Sequence, residues 1–459
     1  MSLKVVILAA GKGTRMKSNL PKVLQPLAGK PLLQHVIDTA QHLHSDNIVA
    51  VVGHGAELVK THVTGLNLEF VLQEQQLGTG HAVQQVQSHF EDDDTVLILY
   101  GDVPLTKLTT LTRLLNLVEE QYPLALLTIT LNDSNGYGRI IRDNQGEVLA
   151  IVEQKDANPE QCCIKEVNTG ILAAKGYWLK RWIDQLTNQN SQGEYYLTDV
   201  IALAVREGFK IATTHPETEL EVLGVNDKLQ LHTLEREYQR LLVNDLMLNG
   251  VTILDAHRVD IRGQVTAGRD VEVDVNVVFE GQISLGDNVR IGANCYLKDV
   301  TILANTVIHP FSHLESCQIG EECIIGPYAR LRPGTQLANQ VKIGNFVETK
   351  KAVIGKDSKV NHLSYIGDTV MGTGVNIGAG TITCNYDGVN KHVTHIGNNV
   401  FVGSDTQLIA PVNIGHDATI GAGSTITKDV PSGELTLSRS KQLTLQGWKK
   451  PVKKSHKLR

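Results

Sequence analysis

A glycine loop near the start of the chain is the first stretch whose residues could do chemistry. Residues 5–22 read VVILAAGKGTRMKSNLPK, an apolar run that ends in glycines, an arginine and, a few residues later, a Pro-Lys pair. Such a loop usually cradles phosphate with its backbone N–H groups. It is not a P-loop, because no G-x-x-x-x-G-K-[ST] is present, and Met16 stands where a dinucleotide fingerprint needs its third glycine. The sequence therefore predicts a phosphate site without naming the phosphate.

The elements that must position this loop are those of a mostly parallel sheet. Up to about residue 225, short β-rich runs alternate with stretches of helical spacing. Continuous apolar strands between helices indicate a sheet covered on both faces, whose ligands bind at the carboxyl ends of the strands. The glycine loop lies at one such end and YGDVP, residues 100–104, at another. The predicted strands cover 5–10, 47–53, 95–102 and 124–130, and the predicted helices cover 32–43 and 108–121.

Residues 226–250 change to one long helical stripe. Asn226 or Asp227 can cap its start, and Asn249-Gly250 suits its end. About 22 residues at ~1.5 Å each predict a rod of roughly 33 Å, which would connect two domains. The apolar stripe consists of Leu231, Leu234, Tyr238, Leu241, Leu242 and Leu246.

After residue 250 the aliphatic residues recur every six positions. This period predicts a parallel β-helix, whose aliphatic side chains point into a narrow core. The spacing breaks twice, between Ile366 and Ile377 and between Ile377 and Ile396, and the second gap holds TITCNYDGVNKHVTH, which predicts an extruded loop. The runs are Leu285, Ile291, Leu297 and Leu303; Ile319, Ile325, Leu331, Leu337 and Ile343; and Ile396, Val402, Leu408, Ile414, Ile420 and Ile426.

Composition excludes several classes of protein. At 459 residues the chain predicts two or three domains, and 43 Lys+Arg against 49 Asp+Glu argue against binding nucleic acid through bulk charge. Six cysteines without a C-x-x-C motif indicate free thiols in a reducing compartment. The first apolar run is too short for a signal peptide, and no run of about 18 apolar residues predicts membrane insertion. We therefore expect a cytoplasmic protein.

The motifs carry a family resemblance. LAAGKGTRM…PKVL resembles the G-x-G-T-R…P-K signature of sugar-phosphate nucleotidyltransferases, and QLGTGHA, YGDVPL, GYGRI, EVNTGI and EYYLTDVI follow in the expected order. With RLRPG, GNFVETKK, NHLSYIGD, NIGAGTITCNYDG and FVGSDTQLIAP, nearly the whole chain resembles the bacterial bifunctional N-acetylglucosamine-1-phosphate uridyltransferase/glucosamine-1-phosphate acetyltransferases.

The resemblance implies an architecture and two reactions. It implies an α/β Rossmann-like nucleotidyltransferase domain over 1–226, a helical linker over 227–250, and a left-handed β-helix acetyltransferase domain with a basic tail over 251–459. Glucosamine 1-phosphate would be acetylated with acetyl-CoA. UTP and the resulting N-acetylglucosamine 1-phosphate would then give UDP-N-acetylglucosamine and pyrophosphate, for bacterial envelope precursors. The resemblance also implies Mg²⁺ and a homotrimer with sites shared between chains.

In the first reaction two anions meet, so the protein must position them and neutralise charge. We expect Arg15 to face the β/γ-phosphates and Lys22 the α-phosphate. Mg²⁺ needs oxygen ligands, which Asp102 and, by the resemblance, Asn226 would supply. The remaining nucleotide and sugar contacts that the resemblance implies are Leu8, Ala9, Ala10, Gly11, Gln73, Gly78, Thr79, Tyr100, Gly101, Gly138, Glu153 and Asn168; of these, Gln73, Gly78 and Thr79 recognise the base, and Gly138, Glu153 and Asn168 the sugar.

In the second reaction an amine attacks a thioester, which needs a base near neutral pH. His362 suits this role, and Arg332 and Lys350 suit the phosphate, because cations bring no benefit to a β-helix core. Tyr365 and Asn376 would hold the sugar. The acetyl-CoA contacts implied by the resemblance are Ala379, Asn385, Tyr386, Ser404, Ala422 and Arg439.

Two alternatives stay open. The β-helix could be a structural or oligomerising module of a single-activity sugar nucleotidyltransferase. Histidines could instead gather zinc on the β-helix, as in carbonic anhydrases of this fold, if their side chains converge. The candidates for zinc are His309, His313, His362, His392 and His395.

Overall fold

The computed structural model describes residues 2–452, and the contacts divide the chain into two compact units. The first unit ends at Leu242 and the second begins at Val243. The part of the basic tail from 453 to 459 lies outside the described residues. The α-helices are α1 Leu32–His42, α2 Ala56–His62, α3 Thr79–Gln84, α4 Leu108–Leu115, α5 Pro159–Cys162, α6 Gly176–Ile183, α7 Asp199–Arg206 and α8 Lys228–Leu248; short 3₁₀ helices cover Thr14–Met16, Lys22–Leu24, Gln87–His89, Glu219–Val222 and Ala256–Arg258.

The first unit is built on a twisted sheet with order β11-β7-β10-β6-β1-β4-β5. β1 runs parallel to β4 and β6, as predicted, whereas β10 runs antiparallel to β6 and β7. β8 pairs with β10 and β9 at the side of this sheet, and β2 and β3 form a separate two-stranded sheet. The strands of the first unit are β1 Leu3–Ala9, β2 Pro26–Leu27, β3 Lys30–Pro31, β4 Asn47–Val52, β5 Leu68–Leu72, β6 Thr95–Tyr100, β7 Leu124–Thr130, β8 Arg139–Arg142, β9 Val148–Val152, β10 Glu166–Lys175 and β11 Ala212–Thr214.

Both faces of this sheet are covered, which explains the continuous apolar strands. Val6 and Leu8 of β1 pack into one core cluster, while Val5 and Ile7 pack into another on the opposite face. Side chains of a strand alternate between faces, so an entirely apolar β1 serves both layers. The carboxyl end of β1 is therefore held rigidly at the point where the glycine loop begins.

The second unit is a parallel β-helix. Two long sheets of parallel strands run through it, in which residues 17 or 18 apart usually pair, such as Val259 with Val277 and Arg290 with Val307. Its strands are β12 Thr252–Ile253, β13 Val259–Ala267, β14 Glu272–Val273, β15 Val277–Leu285, β16 Arg290–Ile291, β17 Tyr296–Ile302, β18 Val307–Ile308, β19 His313–Ile319, β20 Ile324–Ile325, β21 Arg330–Leu331, β22 Gln336–Leu337, β23 Lys342–Asn345, β24 Glu348–Ile354, β25 Lys359–His362, β26 Tyr365–Met371, β27 Asn376–Ile377, β28 Ile382–Cys384, β29 Thr394–Ile396, β30 Phe401–Val402, β31 Gln407–Ile409, β32 Val412–Ile414, β33 Thr419–Ile420, β34 Thr425–Ile426 and β35 Leu435–Thr436.

The six-residue period places almost every aliphatic correctly, with one error. Leu303 was expected in the core but is 44% exposed, and Ile302 is the buried residue, 1% exposed. The register between β15 and β17 shifts by one residue just before this point, between Glu280 and Ile283. A one-residue shift in a strand exchanges the inward and outward side chains, so the period fails here.

Ile302 and Leu303 offer a matched test of this register. We expect Ile302→Ala to destabilise the second unit by about 2–5 kcal/mol, because it empties a closed core position. Leu303→Ala should cost about 0.5 kcal/mol or less, as surface substitutions do. The midpoint of denaturant unfolding of the second unit, followed separately from the first, measures both. A larger loss in Leu303→Ala would mean that the six-residue period, and not the observed register, holds.

The long helix α8 agrees with the predicted connector helix and corrects its details. Asp227, and not Asn226, caps it, because the Asp227 carboxylate accepts a hydrogen bond from Gln230 N at 2.8 Å. Of the two candidates for the cap, Asn226 is therefore the wrong one. Leu241 is 41% exposed, while Val243 is fully buried in its place. In the described part of the chain, no helix is long and apolar enough to cross a membrane.

Candidate active sites

A cavity of about 450 Å³ opens at the carboxyl ends of β1 and β6 in the first unit. It collects most of the residues predicted to bind the nucleotide. Those predicted residues are Leu8, Ala9, Ala10, Gly11, Lys22, Gln73, Gly78, Thr79, Tyr100 and Asp102; the lining residues that the sequence did not indicate are Lys12, Val23, Gln76, Ala82 and Glu194.

The glycine loop closes tightly over the lysine that follows it. Gly13 has φ +59°, and a Cβ there would lie 2.7 Å from the Cβ of Lys22. Only glycine combines this conformation with so close an approach. Gly101 backs the same site, since a Cβ on it would lie 3.2 Å from the Ala9 side chain. Arg15, in contrast, is exposed on the 3₁₀ turn Thr14–Met16 and does not line the cavity.

Lys22, Asp102 and Asn226 form a charged centre at the cavity. The ammonium group of Lys22 pairs with the Asp102 carboxylate and donates to Asn226 Oδ1 at 3.2 Å. Both charged side chains are largely shielded, at 13% and 16% exposed. Two oxygen donors from separate elements thus converge on one cation. A carboxylate and an amide oxygen also suit a hard divalent ion such as Mg²⁺, so the donor set fits the predicted metal.

Gln73 and Gln76 line the end of the cavity assigned to the base. Gln73 Nε2 donates to Gly78 O at 3.1 Å, and Thr79 Oγ1 accepts from Leu197 N at 3.1 Å. Gln76 Nε2 donates to Ala10 O at 2.8 Å, while its Oε1 is buried and has no partner among the described residues. Gln76 was missed because an amide in a polar stretch carries no signal until the fold turns it towards the glycine loop.

Gly138, Glu153 and Asn168 come together beside this cavity, where the sugar was expected. Asn168 N donates to Gly138 O at 2.8 Å, and a Cβ on Gly138 would lie 3.4 Å from both carboxylate oxygens of Glu153. Burial raises the pKa of Glu153, although a hydrogen bond from Thr198 Oγ1 at 3.1 Å opposes the shift. This group lies near the cavity, because burial and the charge of Glu153 raise the pKa of Tyr100, which lines the cavity.

On the second unit, Arg332 and Lys350 of neighbouring coils are joined by Lys391 of the extruded loop. Arg332 Nη1 donates to Glu348 Oε1 at 2.7 Å. The side chain of Lys391 contacts that of Lys350 and repels its charge, which lowers the pKa of Lys350. Like charges are costly to bring together, so this arrangement would be stabilised by a bound anion. Lys391 was missed because it lies in the extruded loop, outside the repeat.

The extruded loop is a hairpin that spans residues 385–393 between β28 and β29. Asn385 Nδ2 donates to Asp368 Oδ2 at its base, and His392 N donates to Asn385 O at 2.9 Å. Tyr386 and Lys391 face each other across it, with Tyr386 59% exposed. The hairpin therefore carries Lys391 to Lys350, and the predicted loop is confirmed.

His362 lies at the end of β25, beside Asn345 of the preceding coil. The two residues pair in register, and His362 Nδ1 lies 3.0 Å from Asn345 Oδ1. An acceptor at that distance keeps the proton on Nδ1 and leaves the lone pair of Nε2 free. His362 is exposed, so Nε2 can meet a substrate. Sequence reasoning missed Asn345, because its partner lies 17 residues away.

Tyr365 and Asn376 lie on the coils around these groups. Tyr365 pairs in register with Glu348, the partner of Arg332, and Gly367 beneath its ring pairs with Lys350. Asn376 pairs in register with Lys359 at the start of the strand that ends at His362. The residues predicted for the sugar therefore belong to the same stack of coils as the base and the cations.

Small residues form a ladder along one corner of the β-helix. Asp405 N donates to Ala379 O at 2.7 Å, and Gly423 N donates to Ser404 O at 2.8 Å, which joins three successive coils. Arg439 Nη1 donates to Ala422 O at 2.9 Å at the next rung. Four of the six predicted acetyl-CoA residues, Ala379, Ser404, Ala422 and Arg439, thus lie along one ladder that ends in a guanidinium.

The histidines do not support zinc. Among residues 2–452, no group of three or more His, Cys, Asp or Glu side chains could hold a metal ion. His392 is instead bound to Asp387, with 2.7 Å between Nε2 and Oδ2.

Comparison with known proteins agrees with both units. Residues 5–139 match the MobA-like NTP transferase domain, 261–347 the GMPPB C-terminal domain, and 394–428 the bacterial transferase hexapeptide (six repeats). The chain is 55% identical to the bifunctional protein GlmU of Azoarcus sp. (strain BH72) over 98% of its length and 100% of the relative's. It is also 55% identical to the bifunctional protein GlmU of Marinobacter nauticus, over 98% of this chain and 99% of that one. The chain therefore belongs to the bifunctional GlmU family, the uridyltransferase–acetyltransferases that its motifs resemble.

Proposed function

We propose that the two units divide the two activities of the family between them. The chain is a bifunctional transferase, both a UDP-N-acetylglucosamine pyrophosphorylase and a glucosamine-1-phosphate N-acetyltransferase. One observation supports the assignment of one activity to each unit. The Lys22–Asp102–Asn226 centre lies in the first unit, and His362 with its cluster of cations lies on the second.

In the first unit, a phosphate oxygen of N-acetylglucosamine 1-phosphate attacks the α-phosphorus of UTP. The new P–O bond forms as the bond to pyrophosphate breaks. Lys22 neutralises charge at the α-phosphate, and the backbone N–H groups of the glycine loop hold the other phosphates. Mg²⁺, when bound by Asp102 and Asn226, would supply further neutralisation of the phosphate oxygens. Arg15 reaches the leaving pyrophosphate if the exposed turn closes over the nucleotide.

In the second unit, the amine of glucosamine 1-phosphate attacks the thioester carbon of acetyl-CoA. His362 Nε2 takes a proton from the nitrogen as the C–N bond forms, and the C–S bond breaks to release the CoA thiolate. The proton held by His362 then passes to the sulfur, which gives the free thiol and restores the base. Asn345 holds the ring in the required tautomer, 3.0 Å from Nδ1. Arg332, Lys350 and Lys391 hold the phosphate, and Tyr365 and Asn376 the sugar. Asn385, Tyr386 and the ladder of small residues that ends at Arg439 hold acetyl-CoA.

We also propose a homotrimer that works in the cytoplasm. Hexapeptide repeats favour assembly, and the exposed hairpin of each β-helix could then complete a neighbour's site. The six cysteines are unpaired, which suits a reducing compartment. Sedimentation of the purified chain tests the stoichiometry.

The two activities are best tested by following both products at once. Purified protein is given glucosamine 1-phosphate, acetyl-CoA, UTP and Mg²⁺, and free thiol and pyrophosphate are measured separately. We expect thiol release without UTP, and pyrophosphate release that requires acetyl-CoA or pre-acetylated sugar. Pyrophosphate from pre-acetylated sugar, without any thiol release, would reduce the β-helix to a structural module.

The lowered pKa of Lys350 predicts a pH effect on acetyl transfer. A lysine whose pKa is lowered loses its charge at a lower pH than usual, so the KM for glucosamine 1-phosphate should begin to rise at a lower pH than it would with an ordinary lysine. Lys391→Met removes the neighbouring charge and should move this rise to higher pH, although it weakens binding at every pH. The midpoint of the KM–pH curve is the readout. An unchanged midpoint in the variant would show that the two lysines do not interact.

A further inference from the structure

Arg139 is a buried cation that the proposed mechanism does not use. It begins β8 and is only 2% exposed. Its guanidinium donates to the carbonyl of Tyr137 and, at 2.7 Å, to Gln154 Oε1, whereas its Nε is buried without a partner in the described residues. No carboxylate bonds to it among these contacts. Burying a charge with only neutral partners is costly, so stability alone is a poor explanation for an arginine here.

The contacts of Arg139 converge on one short loop. Residues 134–138, here called the sugar-side loop, form the last part of the connection from β7 to β8 and end at Gly138. Gln154 Oε1 accepts from Gly136 N at 3.1 Å as well as from Arg139, which itself bonds the carbonyl of Tyr137. Two peptide units of this loop, Asn135–Gly136 through its N–H and Tyr137–Gly138 through its C=O, are thus tied to one guanidinium–amide pair.

Both ends of this pair adjoin residues assigned to the sugar. Arg139 follows Gly138, and Gln154 follows Glu153, so the pair fixes the chain at the two places where the sugar subsite is built. Asn168, the third member, is bound to Gly138 O at 2.8 Å. An error of even 1 Å at Gly138 would therefore displace the bond to Asn168 and the gap to Glu153 together.

We propose that Arg139 and Gln154 form a clamp that positions the sugar-side loop and so determines affinity for the sugar 1-phosphate. Arg139 is a positioning residue, not a catalytic one. The inference rests on the proposed uridyltransferase function and on the assignment of Gly138, Glu153 and Asn168 to the sugar. The clamp acts on the sugar and not on the nucleotide, since neither Arg139 nor Gln154 lines the cavity at the glycine loop.

The test separates the two substrates of the first unit. In Arg139→Met and Gln154→Leu we expect the KM for N-acetylglucosamine 1-phosphate to rise about tenfold or more, with the KM for UTP within about twofold. Arg139→Lys keeps the charge but loses the planar guanidinium that can donate to two acceptors at once. Its KM for N-acetylglucosamine 1-phosphate should lie between those of wild type and Arg139→Met. The double variant should raise the KM for N-acetylglucosamine 1-phosphate no further than the more severe single variant, because both changes disrupt the same Arg139–Gln154 pair.

Two controls keep the outcome decisive. Arg142→Met removes a second arginine of β8, which pairs with Glu166, and should leave both KM values within about twofold. Acetyl transfer on the same polypeptide should stay unchanged throughout. If Arg139→Met does not fold, Gln154→Leu decides. Equal changes in both KM values, or an unchanged KM for the sugar 1-phosphate in Gln154→Leu, would overturn the clamp. A wild-type chain that releases no pyrophosphate would count against the proposed function instead.

Discussion

Acetyl transfer by His362→Ala is expected to fall by about 10²–10⁴-fold, the range that general bases contribute. The Nε2 of His362 is the free basic atom of an imidazole whose Nδ1 is fixed by Asn345 at 3.0 Å. Uridyl transfer should stay within about twofold, because His362 belongs to the second unit. Thiol release and pyrophosphate release on one preparation measure both.

The matched control for this variant is His395→Ala, an exposed histidine of β29 in the same unit. It should leave both activities near wild type. Asn345→Ala should lower kcat for acetyl transfer less than His362→Ala and shift its pH profile, which a purely structural defect would not do. Acetyl transfer by His362→Ala at the wild-type rate would remove the base from the mechanism.

Uridyl transfer should be lost in Asp102→Ala and Lys22→Met, by about 10²–10³-fold or more. Each change removes one charge from a pair that is nearly shielded from water and leaves the other uncompensated. Acetyl transfer should continue at the wild-type rate in both variants. A chelator should likewise stop pyrophosphate release while thiol release continues.

Lys30→Met is the matched control for the lysine. Lys30 also pairs with an aspartate, Asp38, at 2.7 Å, but both partners are considerably more exposed. Exposed pairs contribute little, so this variant should keep both activities. If Asp102→Ala reduced both activities alike, the two sites would not be independent and the division between the units would be wrong.

The sequence predicted the two kinds of architecture well because each depends on local periodicity. Continuous apolar runs form strands covered on both faces, and a six-residue period forms the coils of a β-helix. Neither pattern depends on residues that are distant in the sequence. Leu303 marks the limit of this reasoning. A one-residue shift between strands that pair across 17 or 18 positions leaves no mark on the period itself.

The candidate sites were predictable where they depend on motifs and less so where they depend on the fold. Recognisable motifs contain Lys22, Asp102 and His362, so the sequence alone indicates them. It does not indicate Gln76, Asn345 and Lys391, because each acquires its role from a partner that only the folded chain brings near. Asp227 was a choice between two adjacent candidates, which hydrogen bonding resolves and composition does not.

The pairing of each coil only with its neighbours has a consequence for evolution. Strands β13 and β15 pair residue for residue along their whole length, and β17 and β19 pair at a constant offset of 17 residues, well before Arg332 is reached. Contacts in such a stack are local, so a whole coil could be duplicated or deleted in this early part without disturbing the residues further along. Selection can therefore adjust the length of the β-helix in steps of one coil, about 4.8 Å each, while the chemistry near His362 is inherited intact.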